Sequence, residues 1–273
     1  MALLGVLFIS CNSHPNGNKL VMKISFAVVR AIFFIVVLVI SIAPMLVQAH
    51  SAATPAPRYG DYWIDRQRQI NERIRQGSVD VLFVGDSIMR GWEGVVVGPD
   101  GRIHHEPGQA VWDKYYAKRN AVNEGINGDK TQNILWRLDH GNADGISPKL
   151  SIVMVGTNNY RSYTAEAISD GIVAVVKKLL DKFPKSKVLL IAIFPRGAEP
   201  SQVRVKLARA SELAAARIAD GDKVHYMDIA SKFLADDGTL SPDIMPDGLH
   251  PNEKGYRIWA EAIEPKVREL LGE

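Results

Sequence analysis

The chain has 273 residues, 47% of them hydrophobic and 23% charged, which is the composition of a globular protein rather than a disordered or repetitive one. Its formal net charge of +3 arises before residue 50, where Lys19, Lys23 and Arg30 stand without an acidic residue. Removing these three from the 33 lysines and arginines leaves 30 basic against 30 acidic residues. This balance argues against a nucleic-acid-binding surface.

The first segment of the chain has the order of parts of a secretory leader. Residues 31–47 are an apolar run that follows Lys23 and Arg30, and the run leads into the small-x-small pattern VQA. We therefore expect a signal peptide over residues 1–49, with Met22 as an alternative start, and an exported protein that is periplasmic or secreted. The alternative is an uncleaved leader that anchors the protein in the membrane.

Cysteine usage limits the chemistry of the exported part. Cys11 is the only cysteine, and it lies within the predicted leader. The mature protein therefore has no disulfide, no cysteine nucleophile and no cysteine metal ligand.

Beyond the leader we expect a linker over residues 50–58, rich in small residues and proline, and one domain over residues 59–273. In chain order, the apolar patterns of the first half predict a helix at 62–76, a strand at 79–84, a loop at 94–108, a strand at 121–123 and a helix at 131–139. We expect Thr131 to cap the last of these. The second half is predicted to continue with a strand at 150–155, a helix at 164–183, a strand at 187–193, a helix at 200–219, a strand at 223–229 and a helix at 253–271. Alternation of buried strands with helices predicts an α/β protein with a parallel sheet and helices on both faces.

Three predicted strands end in polar clusters. The clusters are GDS at 85–87, GINGD at 125–129 and GTNN at 156–159. Each could be ordinary turn chemistry. Ligands of open α/β sheets bind beyond the carboxyl ends of the strands, so three clusters at corresponding positions favour a site.

A serine in such a site needs a base, and histidine is the usual one. His250 stands in a short proline-flanked loop, PDGLHP, with Asp247 three residues before it. The loop could place both side chains in one site with Ser87. The alternative is a helix-entry turn with an incidental histidine.

Together, GDS, GINGD, GTNN and DGLH occur in the order and approximate positions found in the SGNH (GDSL) hydrolases. The chain most closely resembles the branch that includes the catalytic subunits of platelet-activating-factor acetylhydrolase. The resemblance runs from about residue 79 to about residue 265. It implies a three-layer α/β/α fold with a flavodoxin-like five-stranded parallel sheet.

The resemblance also assigns roles. It implies Ser87 as nucleophile, His250 as general base and then acid, and Asp247 as the carboxylate that orients His250. The oxyanion would be held by the Ser87 and Gly128 backbone N–H groups and the Asn158 side-chain amide. We expect Asp86 and Asp129 to brace their loops as hydrogen-bond acceptors.

One position departs from the family pattern. Asn127 stands where this branch often has glycine. If that position needs a positive φ, asparagine is among the least costly replacements.

The sequence thus predicts a serine esterase that removes a short acyl group, acetyl first, from carbohydrate or other small-molecule esters. Trp92 and Trp112 could stack on a sugar, although core packing is the commoner use of tryptophan. Two alternatives are a longer-chain lysophospholipase or thioesterase and a non-catalytic glycan-binding protein. We expect no cofactor, no metal, no nucleic acid and no membrane contact once the leader is cleaved, and a homodimer is left open. A metal at His104, His105 and Glu106 is the less favoured interpretation of that run.

Overall fold

The computed structural model describes residues 52–97 and 103–273, so the predicted signal peptide at 1–49 lies outside the described residues. Within these ranges, no helix is both long and apolar enough to cross a membrane. The helices are α1 (Asp61–Arg75), α2 (Ser87–Arg90), α3 (Gln109–Tyr115), α4 (Thr131–Asp139), α5 (Ala165–Lys182), α6 (Gln202–Ile218) and α7 (Glu253–Leu271). The strands are β1 (Val81–Gly85), β2 (Val95–Val97), β3 (Ile103–His105), β4 (Ala121–Asn123), β5 (Leu150–Met154), β6 (Lys187–Ile191) and β7 (Val224–Met227).

Five of these strands form one parallel sheet in the order β4-β1-β5-β6-β7. The first of the five along the chain lies second in the sheet, which is the flavodoxin-like order. The predicted fold class is therefore confirmed. The order reverses between β1 and β5, so a crevice opens where their carboxyl ends separate.

Alternating side chains of the strands bury both faces of the sheet. Val81 and Phe83 point into one apolar cluster with α3 and α7, whereas Leu82 and Val84 point into another with α1, α4, α5 and α6. All five residues of β1 are buried. A strand that is covered on both faces has a continuous apolar sequence, which explains why the position of β1 is predictable.

The structure corrects two local expectations. The predicted loop at 94–108 contains an antiparallel pair, β2 with β3. Thr131 does not cap α4, because its hydroxyl donates instead to the carbonyl oxygen of Ala52 at 2.7 Å. Asn133 performs the capping by accepting from the Lys130 amide at 2.9 Å.

Candidate active site

The turn after β1 presents Ser87 as the first residue of α2. Asp86 caps this short helix by accepting a hydrogen bond from the Ile88 amide at 3.0 Å. A β-carbon at Gly85 would lie 2.4 Å from the carbonyl oxygen of Met154, so only glycine allows this close approach to β5. The turn therefore ends the strand with a half-buried serine at the crevice.

His250 faces that serine from the loop before α7. The Ser87 Oγ and His250 Nε2 atoms are 2.8 Å apart, and His250 Nδ1 lies 2.6 Å from Asp247 Oδ2. An ionised carboxylate only accepts, so Nδ1 donates to it, and in the tautomer with its single proton on Nδ1 the Nε2 atom accepts from the serine hydroxyl. The structure thus brings together the three residues that the sequence singled out.

The Asp247 carboxylate is held by its own loop. Its Oδ1 accepts from the Leu249 amide at 3.0 Å and from the His250 amide at 2.8 Å. Partial burial acts to raise the pKa of Asp247, but these hydrogen bonds and the contact with His250 outweigh it and lower the pKa below its usual value. Asp247 therefore stays ionised and keeps the His250 ring in one orientation.

Gly128 and Asn158 lie on the loops after the two strands that flank β1. Gly128 has a φ of 78°, and the Asn158 side-chain nitrogen donates to the carbonyl oxygen of Asp129 at 2.9 Å. This bond ties the Asn158 amide to the loop that contains Gly128. Because β1 lies between β4 and β5 in a parallel sheet, both loops leave the same edge of the sheet as the turn that presents Ser87.

These residues lie within a family match. The model of the GDSL-like lipase/acylhydrolase family matches residues 83–258, which include all of them. The chain belongs to this family. It is therefore a hydrolase of ester bonds.

Individual relatives of this acylhydrolase agree with the family match. Platelet-activating factor acetylhydrolase IB subunit alpha1 of Bos taurus is 32% identical over 209 residues, covering 77% of this chain and 84% of the relative. The solved GDSL-like lipase of Bacteroides thetaiotaomicron superposes with a TM-score of 0.53 at 21% identity, over 75% of this chain and 98% of that one. A carbohydrate acetylesterase from Sinorhizobium meliloti gives a TM-score of 0.52 at 22% identity, over 71% and 100%. The two structures show the shared fold.

Beneath the Gly128 loop lies a buried ionic layer that the sequence did not reveal. Asp129 is fully buried, and its two oxygens accept from Arg58 Nη1 at 3.0 Å, Trp63 Nε1 at 2.8 Å and Arg137 Nε at 3.0 Å. Of these donors, Arg137 lies nearest in sequence, eight residues after Asp129 on the helix predicted at 131–139. The expectation that Asp129 braces its loop is confirmed.

Asp86 is the other carboxylate expected to brace a loop, and its bond to the Ile88 amide confirms this. Burial and, to a lesser extent, the charge of Asp129 raise the pKa of Asp86 to about 7, although the amide bond and Arg196 act to lower it. Arg196 lies beyond β6, where it donates to the Thr157 carbonyl at 3.1 Å and packs 4.2 Å from the Tyr160 ring centroid.

The structure also shows where the two candidate sugar-stacking tryptophans and the unusual Asn127 lie. Trp92 and Trp112 are buried, with exposures of 0% and 3%, and pack on Phe83 in the core, so neither can stack on a sugar. Asn127 is exposed and is not among the residues with positive φ, so its backbone does not require glycine. The positive φ belongs to Gly128 instead.

A cavity of about 310 Å³ adjoins His250. Its other lining residues are Pro107, Pro246, Asp247, Pro251 and Asn252. Near it, Glu106 pairs with Arg90 at 3.2 Å. In the part of the chain that the structure describes, no three histidine, cysteine or acidic side chains group as metal ligands would.

Proposed function

We propose that this acylhydrolase removes short acyl groups, acetyl first, from esterified carbohydrates through a covalent intermediate on Ser87. The observation that carries the proposal is the chain of two contacts, 2.8 Å from Ser87 Oγ to His250 Nε2 and 2.6 Å from His250 Nδ1 to Asp247 Oδ2. A hydroxyl aligned with an oriented imidazole is the activated nucleophile of acyl transfer.

In the proposed reaction, His250 Nε2 takes the proton of Ser87 as Oγ bonds to the ester carbonyl carbon. The carbonyl oxygen becomes an oxyanion, which accepts from the Ser87 and Gly128 N–H groups and the Asn158 amide. The bond from carbon to the alcohol oxygen then breaks, and His250 returns its proton to the leaving alcohol. Water repeats the sequence on the acyl-enzyme and releases the carboxylic acid.

The preference for a short acyl group rests on what two similar proteins act on. Both the bovine relative and the Sinorhizobium meliloti enzyme act, by their names, on acetyl groups. We extend that preference to this chain.

The alcohol half of the ester has two candidates. An acetylated carbohydrate is favoured by the Sinorhizobium meliloti enzyme and by the predicted leader at 1–49, which would export this acylhydrolase to where extracellular glycans lie. Platelet-activating factor itself is favoured by the bovine relative.

An ester panel separates the candidates. We expect release of acetate from p-nitrophenyl acetate and acetylated xylo-oligosaccharide, a steep fall beyond butyryl esters, and little turnover of platelet-activating factor. Ser87→Ala should abolish turnover, and Ser231→Ala, an exposed serine, is its matched control. Preference for platelet-activating factor or for palmitoyl esters would replace the carbohydrate proposal, and full activity of Ser87→Ala would reject the mechanism.

A further inference from the structure

The segment predicted as a linker packs, in its described part, against the catalytic domain. We call residues 52–58 the strap. The Ala52 carbonyl accepts from the Thr131 hydroxyl at 2.7 Å, and the Ala56 carbonyl accepts from the Asn133 side chain at 3.0 Å. Ala52 is fully buried. The strap is therefore fixed along the start of α4, directly after the loop that contains Gly128.

The strap ends at Arg58, whose side chain reaches that loop. Arg58 Nη1 donates to the carbonyl oxygen of Asn127 at 2.6 Å and to Asp129 Oδ1 at 3.0 Å. A β-carbon at Gly128 would lie 3.2 Å from Arg58 Nη2. The guanidinium thus holds both neighbours of the residue that is proposed to donate its N–H to the oxyanion.

The Asn127 carbonyl and the Gly128 N–H belong to the same peptide group. That group is planar and trans, so its C=O and N–H point in opposite directions. A donor fixed on the carbonyl oxygen therefore sets the direction of the N–H. Glycine has no side chain to restrict its rotation, and Gly128 is exposed, so the peptide needs an external restraint.

We propose that Arg58 is a positioning residue for catalysis, which orients and polarises the Asn127–Gly128 peptide so that its N–H faces the developing oxyanion. A hydrogen bond from a cation to the carbonyl also strengthens the N–H as a donor, because linked hydrogen bonds polarise one another. Arg58 and Arg137 both pair with the Asp129 carboxylate, so this end of the loop is held from two sides. This inference rests on the proposed function.

Arg58 lies outside the residues that match the family model, 83–258. The part of the protein before the family match thus supplies an element of the catalytic machinery. A chain shortened to the matched residues would lose the strap and, with it, the restraint on Gly128.

The test compares Arg58 variants of the full chain in hydrolysis of p-nitrophenyl acetate. Removing an oxyanion donor costs about 10²–10³ in kcat, so removing its restraint in Arg58→Ala should cost roughly 10- to 100-fold. KM should stay within about 2-fold, because the donor acts on the transition state. Arg58→Lys should keep most of the activity, and added guanidinium ion should partly restore Arg58→Ala.

Arg68→Ala is the matched control, because among the described residues Arg68 makes only an exposed ion pair, with Asp65. If circular dichroism shows that Arg58→Ala does not fold, the same kinetic test is made on Arg58→Met, which keeps the apolar part of the side chain. The proposal is overturned if a folded Arg58→Ala or Arg58→Met variant keeps kcat within about 2-fold of the wild type. It is also overturned if kcat and KM fall equally, or if added guanidinium ion restores no activity to Arg58→Ala. Ser87→Ala, assayed alongside, tests the proposed function separately.

Discussion

At the scale of single residues, one group of side chains in the proposed site transfers the proton and another stabilises the developing charge. Ser87, His250 and Asp247 form one hydrogen-bonded chain, while Gly128 and Asn158 supply donors without a titratable group. A neutral donor holds an oxyanion at any pH and needs no proton exchange. Its contribution appears only where negative charge develops.

Asn158→Ala removes one of these donors together with its bond to the Asp129 carbonyl. We expect kcat for p-nitrophenyl acetate to fall by about 10²–10³, with KM nearly unchanged, because the lost donor acts on the transition state. Asn71→Ala is the control, since Asn71 lies on α1 and its buried side-chain oxygen has no partner among the described residues. Steady-state kinetics check the prediction, and a loss confined to KM would contradict it.

Asp86 makes stability depend on pH. Its folded-state pKa, raised by burial to about 7, exceeds the ordinary value of 3.8, so the folded state binds a proton that the unfolded state releases. The stabilisation is fully present below pH 3.8 and is lost as pH rises to about 7. Each tenfold difference in proton affinity between the folded and unfolded states changes the free energy of unfolding by up to about 1.4 kcal/mol.

Asp86→Asn should remove this dependence while keeping the oxygen that accepts from Ile88. Urea unfolding between pH 4 and pH 7 measures this dependence. As pH rises, the wild type should lose stability relative to the variant. Asp228→Asn is the matched control, because exposed Asp228 makes the same type of bond to the Ala230 amide. A pH-independent difference for Asp86→Asn would contradict the account.

At the scale of elements, a short helix depends on a long one. Helix α2 has four residues, too few to be stable alone, and Tyr256 of α7 donates to the Ile88 carbonyl within it at 2.7 Å. Tyr256 also packs over Gly91, where a β-carbon would lie 2.2 Å from its hydroxyl. The closing helix thereby supports the turn that presents Ser87.

A pair of tyrosines tests this support. Tyr256→Phe should lower the free energy of unfolding by about 1–3 kcal/mol, because it leaves a buried carbonyl without its donor. Tyr116 is equally buried but its hydroxyl has no partner in the described part of the chain, so Tyr116→Phe should be neutral or stabilising. Chemical denaturation measures both, and equal effects of the two changes would contradict the assignment.

At the scale of the whole molecule, the elements were more predictable than their contacts. Buried strands and amphipathic helices leave local patterns, and α7 begins and ends at the predicted residues, Glu253 and Leu271. The short strands β2 and β3 carry little such pattern and were predicted as loop. The contact between Ser87 and His250 spans 163 residues. The residue types alone leave it open against an incidental histidine, and the family resemblance implies it.

The role of Arg58 left no local signal at all. Its partners Asn127 and Asp129 lie 69 and 71 residues away, and a proline-rich stretch before it indicates only a linker. The same holds for Thr131, whose bond to Ala52 replaced the expected cap because the strap competes for its hydroxyl. Tertiary contacts between distant segments decide such positions, and residue type alone does not encode them.

The central claim is that Ser87 is the nucleophile of an esterase. The most direct measurement is labelling with a serine-reactive fluorophosphonate, followed by peptide mass spectrometry and an assay on p-nitrophenyl acetate. The account predicts one adduct, on Ser87, that accumulates in step with the loss of esterase activity and is absent from Ser87→Ala. Ester hydrolysis that persists after Ser87 is fully labelled, or inactivation with the adduct on another residue, would contradict it.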